Sequence, residues 1–330
     1  MGMGNERRLL TLLVCLVLGT GLVAAVLGAS RAAGPRPAQA VRPGDTVDLR
    51  DVPPAPAEPP PGPDASTGTV TVDCGRNGEG HYNEDNLVVS PGIRSGAHHT
   101  HAYVGNLSTD ALSTDASLAA AATGCRGGDR STYYWPVLRR PDRAGTQPHE
   151  HSAGHGNSGE ILHEASVTVE FRGNPVGKVV PMPPFLRAVT GDAVAATART
   201  EADVRARWGC SGSPERTTTR YPRCPAGDRL TRTLVFPSCW NGLDHDSANH
   251  RAHLAFPAAN GVCPQGGFAV PQLRITLAYD VPPGTAVAVD SFPEQRHSPK
   301  TDHAMFVNVM TDAQMAALVD CLNQGRTCRT

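Results

Sequence analysis

Apolar residues are distributed along this chain in three textures. Residues 9–29, LLTLLVCLVLGTGLVAAVLGA, form one uncharged apolar run just after Arg7 and Arg8. Residues 30–67 are rich in proline and carry no apolar period. From residue 68 onward, short alternating or fully apolar runs are cut by Gly, Pro and Asn, the pattern of strands between turns. The segments TGTVTVDC, THAYVGN, STYYWPVL, ASVTVEF, TRTLVF, AHLAF and VPQLRITLAYDV are the expected strands. Two stretches predict helix: residues 200–208, TEADVRARW, and residues 311–324. In the second, Thr311 and Gln314 have capping-box spacing and Gly325 ends the run. Few helices among many short strands predict a mostly β domain, a distorted sandwich or barrel with long loops and a C-terminal helix. An α+β arrangement is the alternative.

The first texture predicts either an uncleaved signal-anchor or a cleaved signal peptide over residues 1–29. A run of about 20 apolar residues suffices to span a bilayer, whereas a signal peptide needs only about 7–15. Positive charge ahead of the run keeps the N-terminus inside and exports the remainder. The expected location is therefore the cell membrane, with one N-terminal span and the domain outside, or secretion. Residues 30–67 are expected to be a disordered, solvated linker, and residues 68–330 one exported domain.

Composition narrows the choice of partners. A formal net charge of −1 offers no basic field for nucleic acid. No Walker-type loop, dinucleotide fingerprint, GxSxG elbow or HExxH helix occurs, which leaves nucleotide, serine-hydrolase and zincin chemistry without support. Nearly all basic residues are arginine, as a GC-rich coding bias would produce. Of nine cysteines, Cys15 lies in the apolar run. The other eight suit disulfides in an exported chain. Nearest-neighbour pairing is expected: Cys74–Cys125, Cys210–Cys224, Cys239–Cys263 and Cys321–Cys328.

Histidine carries the candidate chemistry. HHTHAYVGN (98–106), DHDSANHRAHLAF (244–256) and HSPKTDHAMF (297–306) are the clusters that stand out, and PHEHSAGHGNSGEILHEAS (148–166) is a looser one read as a solvated loop. His99 and His101 share a face if their segment is a strand. His250 and His253 share one only on a helical turn. Asp246 and Asp302 are carboxylates able to orient an imidazole or take a proton.

In order along residues 70–322, the motifs HTHAYVGN, STYYWPVL, VVPMPPFLRAVTGD, LVFPSCWNGLDHDSANHRAHLAFP, GVCPQGGFAVPQL and DHAMF resemble a secreted family of unknown function, DUF1996. The family pattern runs HxHxxxG, YWxPxL, FPSCWDG with HxxH, and HADF. The resemblance implies a single exported domain and places His99, His101, His250, His253 and His303 at the matching histidines. Two acids of the pattern are replaced, by Asn241 and Met305.

Three readings follow. In the first, a metal-dependent hydrolase or lyase acts on a polysaccharide or cell-wall polymer. Its one zinc or copper ion is held by His99, His101, His250, His253 and His303, with Asp246 or Asp302 as base. In the second, a non-catalytic module binds glycan through Trp135, Tyr134, Trp240 and Asn241. In the third, the polar clusters only brace a surface domain.

Overall fold

The computed structural model describes residues 42–145 and 155–330. The apolar run at 9–29, and His149 and His151 of the loose cluster, lie outside the described residues. No helix among the described residues is long and apolar enough to cross a membrane.

The domain is mostly β, with four disulfides and a C-terminal helix, as expected. All four nearest-neighbour bridges form. The strands are spread over five sheets. Two of these build the core. The larger runs, from edge to edge, Thr217–Thr218, Arg207–Cys210, Leu230–Val235, Gln272–Tyr279, Ser166–Arg172, Thr69–Val72 and Thr327–Arg329. The smaller runs Tyr82–Asn83, His101–Gly105, Thr132–Pro136, His303–Val307 and Arg187–Gly191, antiparallel throughout.

Period-two alternation decides which side chains meet. Val104, Tyr133 and Phe306 of the smaller sheet share a core cluster with Phe171, Leu234 and Ile275 of the larger one. The Phe306 ring lies 6.0 Å from that of Phe171 and 6.4 Å from that of Phe236. The opposite face of the smaller sheet carries Tyr103, Tyr134, Met305 and Val307, covered by Leu87, Val88 and Leu118. That sheet is therefore buried on both faces. Its second face is the one that also bears His101 and His303, because they alternate in phase with Tyr103 and Met305.

The C-terminal helix is Asp312–Asn323, with the Thr311–Gln314 capping box formed in both directions and Gly325 at positive φ. Residues 200–208 do not form the expected helix. Val204, Ala206 and Trp208 are buried while Arg205 and Arg207 are half-exposed, and the segment runs into the Arg207–Cys210 strand. The alternation in VRARW outweighs its helix-favouring residues once a partner strand is present.

Part of the Pro-rich segment packs on the domain within the described residues. Thr46–Asp48 pairs in parallel with Tyr221–Arg223. Val47, Leu49 and Val52 are buried in a cluster with Cys210. Ala55 N–H donates to Glu215 O at 2.7 Å, and Glu58 pairs with Arg172 at 3.0 Å. Residues 46–52 are laid onto the domain, while most of residues 53–64 stay exposed.

Candidate metal centre

His101 and His303 sit on the two strands that flank Thr132–Pro136, and His99 precedes the first of them. Their side chains converge. His99 Nε2 lies 3.1 Å from His101 Nε2 and 3.3 Å from His303 Nε2. All three residues are buried, and one ligand atom from each falls within 4.8 Å of the others. The Phe292 ring stands edge-on to His99 at 5.5 Å, and the Tyr134 ring edge-on to His101 at 5.3 Å.

Backbone carbonyls set the tautomers. His101 Nδ1–H donates to Asp85 O at 2.9 Å and His303 Nδ1–H to Thr301 O at 2.7 Å. Each of these rings then presents an unprotonated Nε2 to its neighbours. His99 Nδ1 is buried without a hydrogen-bond partner. Burial lowers the pKa of all three. His101 is pushed down to about 3, by burial first and then by His303. His99 is held well below the usual imidazole range by burial and by the other two rings. His303 is lowered by burial, against the opposing effect of its Thr301 hydrogen bond. The group is neutral, lone-pair-rich and buried.

Such a donor set fits a transition metal. Two nitrogens bound tetrahedrally to zinc at about 2.0–2.1 Å lie about 3.3 Å apart, close to two of the spacings here. The ligating nitrogen type suits zinc or copper and not calcium. The second group of three potential ligands, Cys74, Cys125 and Asp129, is already closed by the Cys74–Cys125 disulfide.

Two buried ion pairs hold the chain on either side of these histidines. Arg139 Nε donates to Asp290 Oδ1 at 2.6 Å and its Nη2 to Asp290 Oδ2 at 3.0 Å. The same carboxylate accepts from the N–H of Thr100, between His99 and His101, at 3.1 Å. Arg232 donates from Nε and Nη2 to Asp302, next to His303, and also to Pro136 O at 3.1 Å. Gly191, opposite His303 in the sheet register, has φ +80°, and a Cβ there would stand 2.2 Å from Asp302 O. Only glycine lets these two strands approach so closely.

The other sequence candidates are placed differently. His253 does not join the triad: Nδ1 bonds Ser247 Oγ at 2.9 Å and Nε2 bonds Arg187 O at 2.6 Å, so both nitrogens are used as braces. His250 is also outside the group, but it lines the same cleft of about 320 Å³ as His99 and His303. Its Nδ1 bonds Asp246 at 3.0 Å. Asp302 is fully buried against Arg232 and so is not available as a base. Trp135 and Tyr134 are fully buried and show no face to a glycan; their polar atoms bond Glu164 and Asn86. Trp240 Nε1 bonds Asp244 O and Asn241 caps the same turn through Asp244. Beside them Leu243 and Phe268 are 84% and 51% exposed. His155 pairs with His98 at 3.2 Å and His163 with the Tyr82 hydroxyl at 3.0 Å.

Sequence reasoning missed Arg139, Arg232, Asp290 and the carbonyl of Asp85. Arg232 did carry a signal. It stands between Leu230 and Leu234 on the inward face of an alternating strand, where a charge needs a partner.

The fold is a disulfide-stapled, mostly β domain with a buried histidine cluster, and its four disulfides suit an extracellular setting. A family described as a domain of unknown function, DUF1996, matches residues 86–313, and the chain belongs to it. No curated protein and no solved structure matches the chain.

Proposed function

We propose that His99, His101 and His303 hold one transition-metal ion, zinc in the first place, and that the domain is an extracytoplasmic metal-dependent hydrolase or lyase. The observation that carries this reading is the convergence of three Nε2 atoms, two of them with Nδ1 committed to a backbone carbonyl. Neutral nitrogens at 3.1 and 3.3 Å repel unless a proton or a cation lies between them. A single His99 Nε2–H serves both contacts without metal. With a metal bound, His99 would carry its proton on Nδ1 and offer Nε2 as a ligand.

A zinc ion in such a site supplies Lewis acidity toward a carbonyl or a water molecule. The protein's own contribution is positional. The Arg139–Asp290 and Arg232–Asp302 pairs keep the imidazoles from swinging, and Phe292 and Tyr134 exclude water from their flanks. His99 and His303 face the cleft, which leaves a substrate a way in. The four disulfides suit an oxidising, extracellular setting, and a membrane anchor at residues 9–29 with a cell-wall polymer as substrate completes the reading. The patch of Trp240, Leu243 and Phe268 favours a second role, holding a sugar chain beside the cleft.

Metal analysis of the purified protein tests the proposal. Zinc or copper at one ion per chain is expected, lost in His101→Ala and in His303→Ala while the near-ultraviolet circular dichroism persists. A wild-type protein that binds neither metal on dialysis against it would reject the reading.

A further inference from the structure

A second constellation stands at the cleft that His99 and His303 line. His250 and Asp246 form a pair four residues apart, with Nδ1 of His250 3.0 and 3.1 Å from the two carboxylate oxygens. Both side chains are about one-quarter exposed, at 22% and 26%. No described protein group bonds to His250 Nε2, and the residue lines the cleft with His99 and His303. An aspartate on Nδ1 fixes the proton there and leaves Nε2 as the basic atom.

The backbone supports a functional reason for this placement. His250 has φ +56°, a left-handed conformation that an ordinary side chain adopts at some cost. The loop is over-determined around it. His250 N–H donates to Ser247 O at 2.8 Å, Asn249 Oδ1 accepts from the N–H groups of Arg251 and Ala252, and both nitrogens of His253 are tied down. Arg251 Nη2 then donates at 2.6 Å to Gly191 O, on the residue that faces His303. The loop is fastened to the strand beside the metal centre, and the residue it holds out in a strained conformation is His250.

We infer that His250, oriented by Asp246, is the proton-transfer residue of this cleft and that the bond broken is an acyl ester or amide. This inference rests on the metal-centre reading above. The choice of bond follows from the group that faces the cleft, an imidazole oriented by one carboxylate rather than a pair of carboxylates. Glycoside hydrolysis ordinarily needs two, whereas a carbonyl needs one Lewis acid and one base. In the step, Nε2 of His250 takes a proton from water as the water oxygen bonds to the carbonyl carbon. It returns that proton to the departing oxygen or nitrogen as the carbon–heteroatom bond breaks. The histidine ends neutral, and one water has been consumed for each acid and alcohol or amine released.

The probe is 4-nitrophenyl acetate with the full chain reconstituted with zinc, and zinc content is measured on every sample. His250→Ala should keep its zinc yet lose roughly 100-fold in kcat/KM, the usual contribution of a general base. Added imidazole should restore part of the rate, which a merely structural loss would not permit. Asp246→Asn should fall less, and a long-range 1H–15N spectrum should show His250 leaving the Nδ1–H tautomer found in the wild type. A wild-type His250 protonated at Nε2, a His250→Ala variant at full rate, or one that loses its zinc would each overturn the assignment. So would zinc-loaded wild type no faster than free zinc, which leaves the metal centre itself standing. Failure of that centre is seen separately, as absence of zinc from the wild type before any rate is measured.

Discussion

His99 and His303 stand 204 positions apart in the chain, yet their Nε2 atoms are 3.3 Å apart and both residues are buried. The sheet makes the contact. His303 is carried by a strand inserted between Thr132–Pro136 and Arg187–Gly191, and His99 by the approach to the strand on the other side of Thr132–Pro136. Anything that shifts this register moves the donors out of reach.

Asp302→Ala is expected to be among the most damaging single changes. It leaves the Arg232 guanidinium buried without its carboxylate, a situation that costs about 3–5 kcal/mol. It also frees the residue before His303. Urea unfolding should show the lost stability, and metal analysis should show weaker zinc retention in whatever fraction folds. A variant as stable as wild type would mean that the pair is not needed.

Acid should destabilise the metal-free protein. Burial depresses the three imidazole pKa values in the folded state from the ordinary 6.5. Above about pH 6.5 they are neutral whether folded or unfolded, and the full stability is present. Below that, the unfolded chain takes up protons that the folded one resists, so stability falls, by about 1.4 kcal/mol per pH unit from His101 alone. For His101 the loss continues until the folded value of about 3 is reached. Urea midpoints in chelator should fall from about pH 7 to about pH 5; a flat profile would refute the burial argument.

The disulfides should differ in weight. Cys74–Cys125 closes a separation of 51 residues and Cys321–Cys328 one of 7. Loop-closure entropy gives about 4 kcal/mol for the first and about 2 kcal/mol for the second. Paired Cys→Ser variants, compared by denaturant unfolding, should lose stability in that order.

A chain beginning at residue 68 should be less stable than one beginning at residue 42. The missing segment includes buried Val47, Leu49 and Val52, and full burial of such a side chain is worth about 1.5–3 kcal/mol. A loss of about 3 kcal/mol or more is expected from thermal or urea unfolding. Equal midpoints would show that the segment only rests on the surface.

Much of this was readable in the chain itself. Alternation in THAYVGN, ASVTVEF and LRITLAY marks strands because a side chain on a strand faces core or solvent by turns. The Thr311–Gln314 spacing marks a helix start because a helix must cap its first N–H groups. An even cysteine set in an exported chain marks bridges, and these closed between neighbours. The His99–x–His101 spacing marked two of the three converging imidazoles.

Only the tertiary structure decided the rest. Sequence spacing grouped His250 with His253, but the turn between them sends one into the cleft and the other into the backbone as a brace. Asp302 and Asp246 looked equivalent until burial gave the first to Arg232 and the second to His250. Arg139 and Arg232 resembled coding bias until each met a carboxylate in the interior, Asp290 at 151 positions' distance and Asp302 at 70. Residues 42–67 read as solvated because their own composition cannot form a core; Val47, Leu49 and Val52 among them are buried by a surface that the remainder of the chain provides. Local pattern specifies which way each residue faces along its own strand, but what it then meets depends on strands joined from distant segments.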